Sequence, residues 1–235
     1  MRLHEPFDQE WSANAELRHP AASLLKVPVV AAALIAGAEG RLSLDERIDP
    51  KMLETTVYPT IQAAFDGSTL SLREIAALSI VTSDNAAASA ILDAVGDAAI
   101  KDFLERAGCR DTDPVPGFSD ADFENLRGAY TTAVDQYRIL TQVWSSRRLG
   151  DLRRWLTNNL RNTRLSARIE PPRTFAHKTG TLCDVAHDVG MLSTPQCRAS
   201  VIVLTSKETD PTAVAYKMAG LGSQMADELD CLTAG

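Results

Sequence analysis

The stretch from Val27 to Ala36 (VPVVAAALIA) is apolar at every position, and this constrains the fold more than any other part of the chain. A helix with one polar face can lie on a surface, whereas one that is apolar nearly all round must be covered on every side. The run therefore predicts a central helix from Ser23 to about Gly37, enclosed by the rest of the molecule. Pro28 interrupts it near its start, and ten residues fall far short of a bilayer span. A chain of 235 residues, 45% hydrophobic and 23% charged, has enough material for that enclosure and the balance of a globular protein. With no internal repeat and no low-complexity linker, it reads as one compact unit.

Around this helix the pattern is helical through the middle and strand-like towards the end. Residues 12–22 (SANAELRHPAA) form an extended-to-turn entry. Helical spacing recurs over Leu72–Val81, Ala86–Val95, Asp97–Arg106, Thr132–Ser145 and Asp151–Asn162, with Gly96 stopping the second of these. Between them, TDPVPGFSDADFENLRGAY carries two prolines, two glycines and several acids, which predicts a long irregular loop of the kind that often serves function. After Pro171-Pro172 come three strand-like runs, RTFAHKTG, DVAHDVGMLS and RASVIVLTS, and a last helix from Asp210 to Leu232 with Pro211 in its first turn. The expected fold is of the α+β type: an antiparallel sheet flanked by helices, with an all-helical lobe inserted. The α/β lobe is expected over about 1–45 and 165–235, the helical lobe over about 46–164.

The net charge of −7 argues against a nucleic-acid partner, which would call for a basic footprint. The first residues, MRLHEPFDQEWSANAE, are polar and mixed in charge, with neither the apolar core nor the cleavage site of a secretory signal, so a cytoplasmic location is expected. Cys109, Cys183, Cys197 and Cys231 are widely spaced and show no zinc pattern, so they are expected to be free thiols. His4, His19, His177 and His187 show no metal spacing either, and His187-Asp188 reads as a structural pair or a rim. No metal or organic cofactor is expected. Arg147 to Arg173 holds eight arginines against Asp151 and Glu170, which is either a solvated helix face or an attractor of anions.

Three short motifs carry chemistry. In Ser23-Leu24-Leu25-Lys26, at a helix start, the hydroxyl and the amine share a face. A serine hydroxyl is a weak nucleophile until a base takes its proton, and a lysine beside a buried helix becomes such a base when desolvation lowers its pKa. On its own this pair also reads as a capping serine with a surface lysine. Ser83-Asp84-Asn85 lies between two helices, where a hydroxyl can relay a proton and an amide can hold a carbonyl, or where the three serve as a helix cap. Lys178-Thr179-Gly180-Thr181 lies at a strand end, offering positive charge, hydroxyl donors and a glycine that lets a substrate backbone lie close, or simply an edge strand blunted by a lysine. Each motif is weak by itself; the ordered trio is strong.

S-x-x-K, then S-D-N, then K-T-G resembles the class A β-lactamases and penicillin-binding proteins. The flanks NAELRHPAASLLKVP, STLSLREIAALSIVTSDNAAASAILDAVG and AHKTGTLCDVAHDVGML are similar as well, and the likeness runs from about Trp11 to Leu229. The resemblance implies that Ser23 is the acylated nucleophile, Lys26 its base or proton relay, and Ser83 the proton-shuttling serine. It implies that Asn85 holds the substrate side chain, that Lys178 is the strand lysine, and that Thr179 and Thr181 meet the substrate carboxylate. The N–H groups of Ser23 and Thr181 would form the oxyanion hole. Tyr58 falls where the family often has an aromatic rim, and Arg168 where some members have an arginine supporting carboxylate binding.

The chain departs from the family in its loop. There the family has a Glu, followed three residues later by Leu-Asn, that activates the deacylating water. Here the loop reads SDADFENLRGAYTT, and counting back from Thr131-Thr132 leaves no acid in that register. Glu124, with Asp122 and Asp120 beside it, is the candidate deacylation acid. The expected function is a serine hydrolase working through an acyl-enzyme on Ser23, acting on a β-lactam or related amide. Two alternatives stand: a cytoplasmic acyltransferase, esterase or amidase on a metabolite with weak β-lactam turnover, and a binding or sensor protein that traps the acyl group. The expected partner is a small molecule, with neither nucleic acid nor membrane involved and the oligomeric state open.

Overall fold

The computed structural model describes residues 1–4, 9–53, 60–113, 117–118 and 128–233. The apolar run forms helix α1 (Lys26–Ala38), preceded by a single 3₁₀ turn, Ala22–Leu25. Every residue from Lys26 to Leu34 is buried, as is Ala36, so the enclosure that the composition demanded is realised. Pro28 is harmless there because it sits in the first turn, where backbone N–H groups have no helical acceptor to lose.

The helical lobe comprises α2 (Thr60–Ala64), α3 (Leu72–Val81), α4 (Asn85–Val95), α5 (Asp97–Ala107), α6 (Ala133–Ser145) and α7 (Gly150–Thr157), and α3 to α7 pack on α1. Local chemistry sets several of these ends. Ser71 and Glu74 close a reciprocal capping box on α3, Asp84 caps α4, Thr132 caps α6, and Gly108 ends α5 in the left-handed conformation. The predicted helix over 151–162 stops at Thr157: the Asn158 side chain turns back onto the Arg154 carbonyl (2.7 Å), and residues 158–164 run on as an irregular strap. That strap ends in a 3₁₀ turn, Leu165–Arg168.

A four-stranded antiparallel sheet carries the other half of the molecule. It comprises β1 (Arg2–Leu3), β6 (Thr174–Leu182), β7 (Val185–Ser193) and β8 (Arg198–Val203), in the order β1-β8-β7-β6. Two short ribbons pair β2 (His19–Pro20) with β5 (Tyr130–Thr131), and β3 (Arg47–Ile48) with β4 (Leu70–Ser71). The long C-terminal helix α8 (Pro211–Thr233) starts on the Asp210 carboxylate, which accepts from the N–H groups of Thr212 (3.1 Å) and Ala213 (3.0 Å).

Alternation along β6 divides the core in two. Ala176 joins the large cluster built on α1 and the helical lobe, while Phe175 joins a second cluster with β7, β8 and Leu229 of α8. Strand β6 therefore presents Ala176, and with the same parity Lys178 and Gly180, towards the nucleophile's end of α1.

Candidate active site

A cleft of about 580 Å³ opens where the 3₁₀ turn before α1, the α3–α4 junction, the strap and β6 meet; Ser23, Ser83, Asn85, Arg161, Thr179 and Thr181 line it. Ser23 is half-buried in that turn. The residue before it, Ala22, has φ +49°, a left-handed conformation costly for a residue with a Cβ. Surrounding bonds hold it there, among them Ala21 N–H to Ala129 O (2.8 Å) and Leu24 N–H to Ala21 O (3.2 Å).

Lys26 follows one turn later and is fully buried. Its Nζ donates to Ser83 O (2.6 Å) and Asn85 Oδ1 (2.6 Å) and lies 3.3 Å from Ser83 Oγ. Phe118, itself buried, sets its ring 5.4 Å from that nitrogen. Burial pushes the amine down to about 7; the Asp84 carboxylate works against this, and the Arg161 charge adds to it. With its two N–H groups donated to two carbonyl oxygens, a neutral Lys26 keeps its lone pair free to accept a proton.

Ser83 connects the two lysines. It too is left-handed, at φ +63°, on the turn that brings α3 into α4. Its Oγ receives a hydrogen bond from Lys178 Nζ (2.9 Å), which also donates to Thr179 O (2.9 Å). Lys178 is fully buried, and its pKa lies well below the usual ammonium value because of burial first, then the neighbouring charges of Lys26, Arg161 and Arg164. Asp84, between the two motif residues, faces inward as a cap, accepting from Ala87 N–H (2.8 Å) and Ile61 N–H (3.1 Å).

Gly180 has an intramolecular reason. A Cβ there would come within 3.1 Å of His187 Cδ2 and 3.2 Å of both Ala21 O and Leu24 Cγ. The close approach expected for a substrate is taken by the nucleophile's own turn, so the glycine seats β6 against Ser23. Behind the strand, His187 is buried and neutral: burial pushes it down to about 3, Nε2 donates to Pro20 O (2.7 Å), and Nδ1 accepts from Thr205 N–H (3.1 Å). Asp188 pairs with His177 Nδ1 (2.7 Å), so His187 and Asp188 are separate struts.

Two arginines that sequence reasoning passed over stand at the cleft. Arg164 is buried and forks onto Gly180 O (2.9 Å), His187 O and Thr181 Oγ1 (2.7 Å), which fixes the Thr181 hydroxyl. Arg161 is exposed; its Nε donates to Thr82 O (3.2 Å), and among the described residues its two terminal nitrogens have no partner. Asn159 locks the strap beneath both, donating to Ile80 O (3.3 Å) and His177 O (3.1 Å) and accepting from Arg161 N–H (2.8 Å). The only sequence signal for either was their place in an arginine-rich stretch. Arg168, the expected carboxylate arginine, stacks its guanidinium 5.0 Å over the Tyr216 ring of α8 and is not among the residues that line the cleft.

Tyr58 and Glu124, with Asp120 and Asp122, lie outside the described residues. Among the described residues no group of three or more His, Cys, Asp or Glu is placed to hold a metal, and no helix is long and apolar enough to cross a membrane. The four cysteines are free.

A family model described as the β-lactamase enzyme family matches residues 6–229. The β-lactamase PSE-1 of Pseudomonas aeruginosa is 23% identical over 232 residues, covering 94% of this chain and 76% of its own. VEB-1 of the same organism is 25% identical over 219 residues, covering 83% and 73%. A variant of PBP-A solved as an acyl-enzyme with penicillin G superposes with a TM-score of 0.80 at 23% identity, over 93% of this chain and 84% of that one. A β-lactamase from Sphaerobacter thermophilus gives 0.81 at 23% identity, over 95% and 88%.

Proposed function

The chain belongs to the β-lactamase enzyme family and is a serine hydrolase of the class A β-lactamase type; from that premise we propose that Ser23 is its acylated nucleophile and that its substrates are β-lactams or closely related amides. The single observation that carries the assignment is the pair of buried amines, Lys26 and Lys178, on one hydroxyl, Ser83 Oγ, in the cleft that also holds Ser23.

In this reading neutral Lys26 takes the Ser23 proton as the oxygen attacks the substrate carbonyl carbon. The oxyanion is met by the N–H groups of Ser23 and Thr181. The C–N bond then breaks, and the leaving nitrogen takes its proton from the Ser83 hydroxyl, which is resupplied by the lysines that contact it. Asn85 holds the acyl side chain. A carboxylate on the substrate meets Thr179, Thr181 and the uncommitted fork of Arg161. Water, activated by Glu124, releases the acyl group from Ser23.

Time-resolved intact mass with benzylpenicillin and a cephalosporin tests this. An adduct that forms and clears within seconds, and is absent in Ser23→Ala, is the expected result. An adduct that persists removes Glu124 as a deacylation base and favours acyl transfer or trapping. No adduct with either compound overturns the β-lactam assignment.

A further inference from the structure

The eight arginines between Arg147 and Arg173 do not act as one patch. Arg153 holds the carbonyls of Val143 and Ser146, both at 2.7 Å; Arg154 pairs with Asp151 at 3.0 Å; Arg173 reaches Asp227 and Asp230, each at 2.7 Å. Arg161, Arg164 and Arg168 are placed as described above. Arg147 and Arg148 turn instead to a cavity of about 380 Å³ that they share with Arg41 and Arg106. It lies between α1, α5 and α6, and its apolar floor includes Ala32, Ile35 and Phe103. Ile35 is nine residues beyond Lys26, about 13 Å further along the helix at 1.5 Å per residue.

The charges around this cavity are only half compensated. Glu39 takes Arg41 Nε (3.0 Å) on one oxygen and Arg148 Nη1 (2.6 Å) on the other, and Asp102 takes Arg106 Nε (2.9 Å). Arg147 has no ion-pair or hydrogen-bond partner among the described residues. Four guanidinium groups thus face two carboxylates, in a chain whose net charge is −7. Folding does not require this. Exposed ion pairs contribute little to stability, and clustered like charges repel. A bound anion would offset that repulsion.

We propose that this cavity is a binding site for an organic phosphate: a soluble molecule with an apolar body on the Ala32–Phe103 floor and a dianionic head between Arg147, Arg148, Arg41 and Arg106. Planar guanidinium forks match phosphate oxygens two at a time. The shared Glu39 carboxylate holds two of them in place before the ligand arrives. The volume suits a small organic molecule, and the floor distinguishes one from inorganic phosphate.

Calorimetric titration of the full chain with 1-naphthyl phosphate, alongside inorganic phosphate and 1-naphthol, tests the site. Saturable one-site binding of 1-naphthyl phosphate is expected, tighter than either control and weakening as salt is raised. Arg147→Ala and Arg106→Ala should each raise Kd about fivefold or more. Arg147 is exposed and has no ion pair or hydrogen bond to lose among the described residues, so Arg147→Ala should unfold close to the wild-type temperature, and Arg147→Glu should weaken binding further. Three outcomes would overturn the proposal: no saturable binding in the millimolar range, binding of 1-naphthol as tight as that of its phosphate, or binding that survives Arg147→Ala and Arg106→Ala but is lost in Arg161→Ala. The last would put the ligand in the cleft with Ser23.

Discussion

Two lysine amines are buried against a single serine hydroxyl, and their chemistry depends on their not both being charged. Burying an ammonium in low dielectric is costly, so burial pushes both amines down, and the Lys26 charge adds to it at Lys178. Lys26 reaches about 7 in the fold against 10.5 in an open chain. Two consequences have fixed signs. The base is competent when deprotonated, so the acylation rate should rise with pH and reach half its plateau near 7. Lys26→Arg keeps the charge at every working pH, so it should lose that limb and at least about 100-fold in rate, measured by single-turnover acylation across pH 5.5–9. For stability, the unfolded chain holds this proton over a window in which the folded chain has released it. The contribution is therefore present above 10.5 and lost as pH falls towards about 7. Urea midpoints at pH 6.5 and 9 should show that gain in the wild type and a smaller one in Lys26→Met, where Lys178 alone of the two amines still contributes.

At the scale of elements, the decisive piece is the strap between α7 and β6. Helical spacing runs on to Asn162, yet the helix ends at Thr157. Tertiary hydrogen bonds outweigh local propensity here, because the Asn159 amide is buried and satisfies carbonyls from both α3 and β6. The strap and the turn after it, Leu165–Arg168, are held from behind by α8. Gly222 of that helix comes so close to Leu165 that a Cβ would lie 2.1 Å from its carbonyl oxygen. Alanine normally gains up to about 1 kcal/mol over glycine inside a helix. Here overpacking against backbone should outweigh it, so Gly222→Ala is expected to cost about 1–3 kcal/mol net in chemical denaturation. A stabilised variant would show that the two elements separate easily.

Across the whole molecule, the sheet is shared by two cores. Leu229 is fully buried in the α8-side cluster, on the face of the sheet opposite α1. Leu229→Ala should cost about 2–5 kcal/mol. Because β6 contributes to both clusters, the loss should lower one common unfolding transition followed by fluorescence and circular dichroism, with acylation by Ser23 unchanged well below it. Two separated transitions would mean that the halves fold independently.

The sequence alone determined the central helix, the capped helices around it, the strand pattern after Pro172 and the order of the three motifs. All of these rest on local periodicity, capping chemistry and residue type, which the chain carries without reference to its fold. It could not show which arginines reach the cleft, since that depends on where a helix is cut short by partners from α3 and β6. Nor could it show that Gly180 serves the nucleophile's turn, or that Phe118 covers Lys26: both are contacts between segments far apart in sequence. The apolar neighbourhood of Lys26 in the sequence already implies a depressed pKa. Its extent was decided only when the fold closed on every side and took the amine out of water.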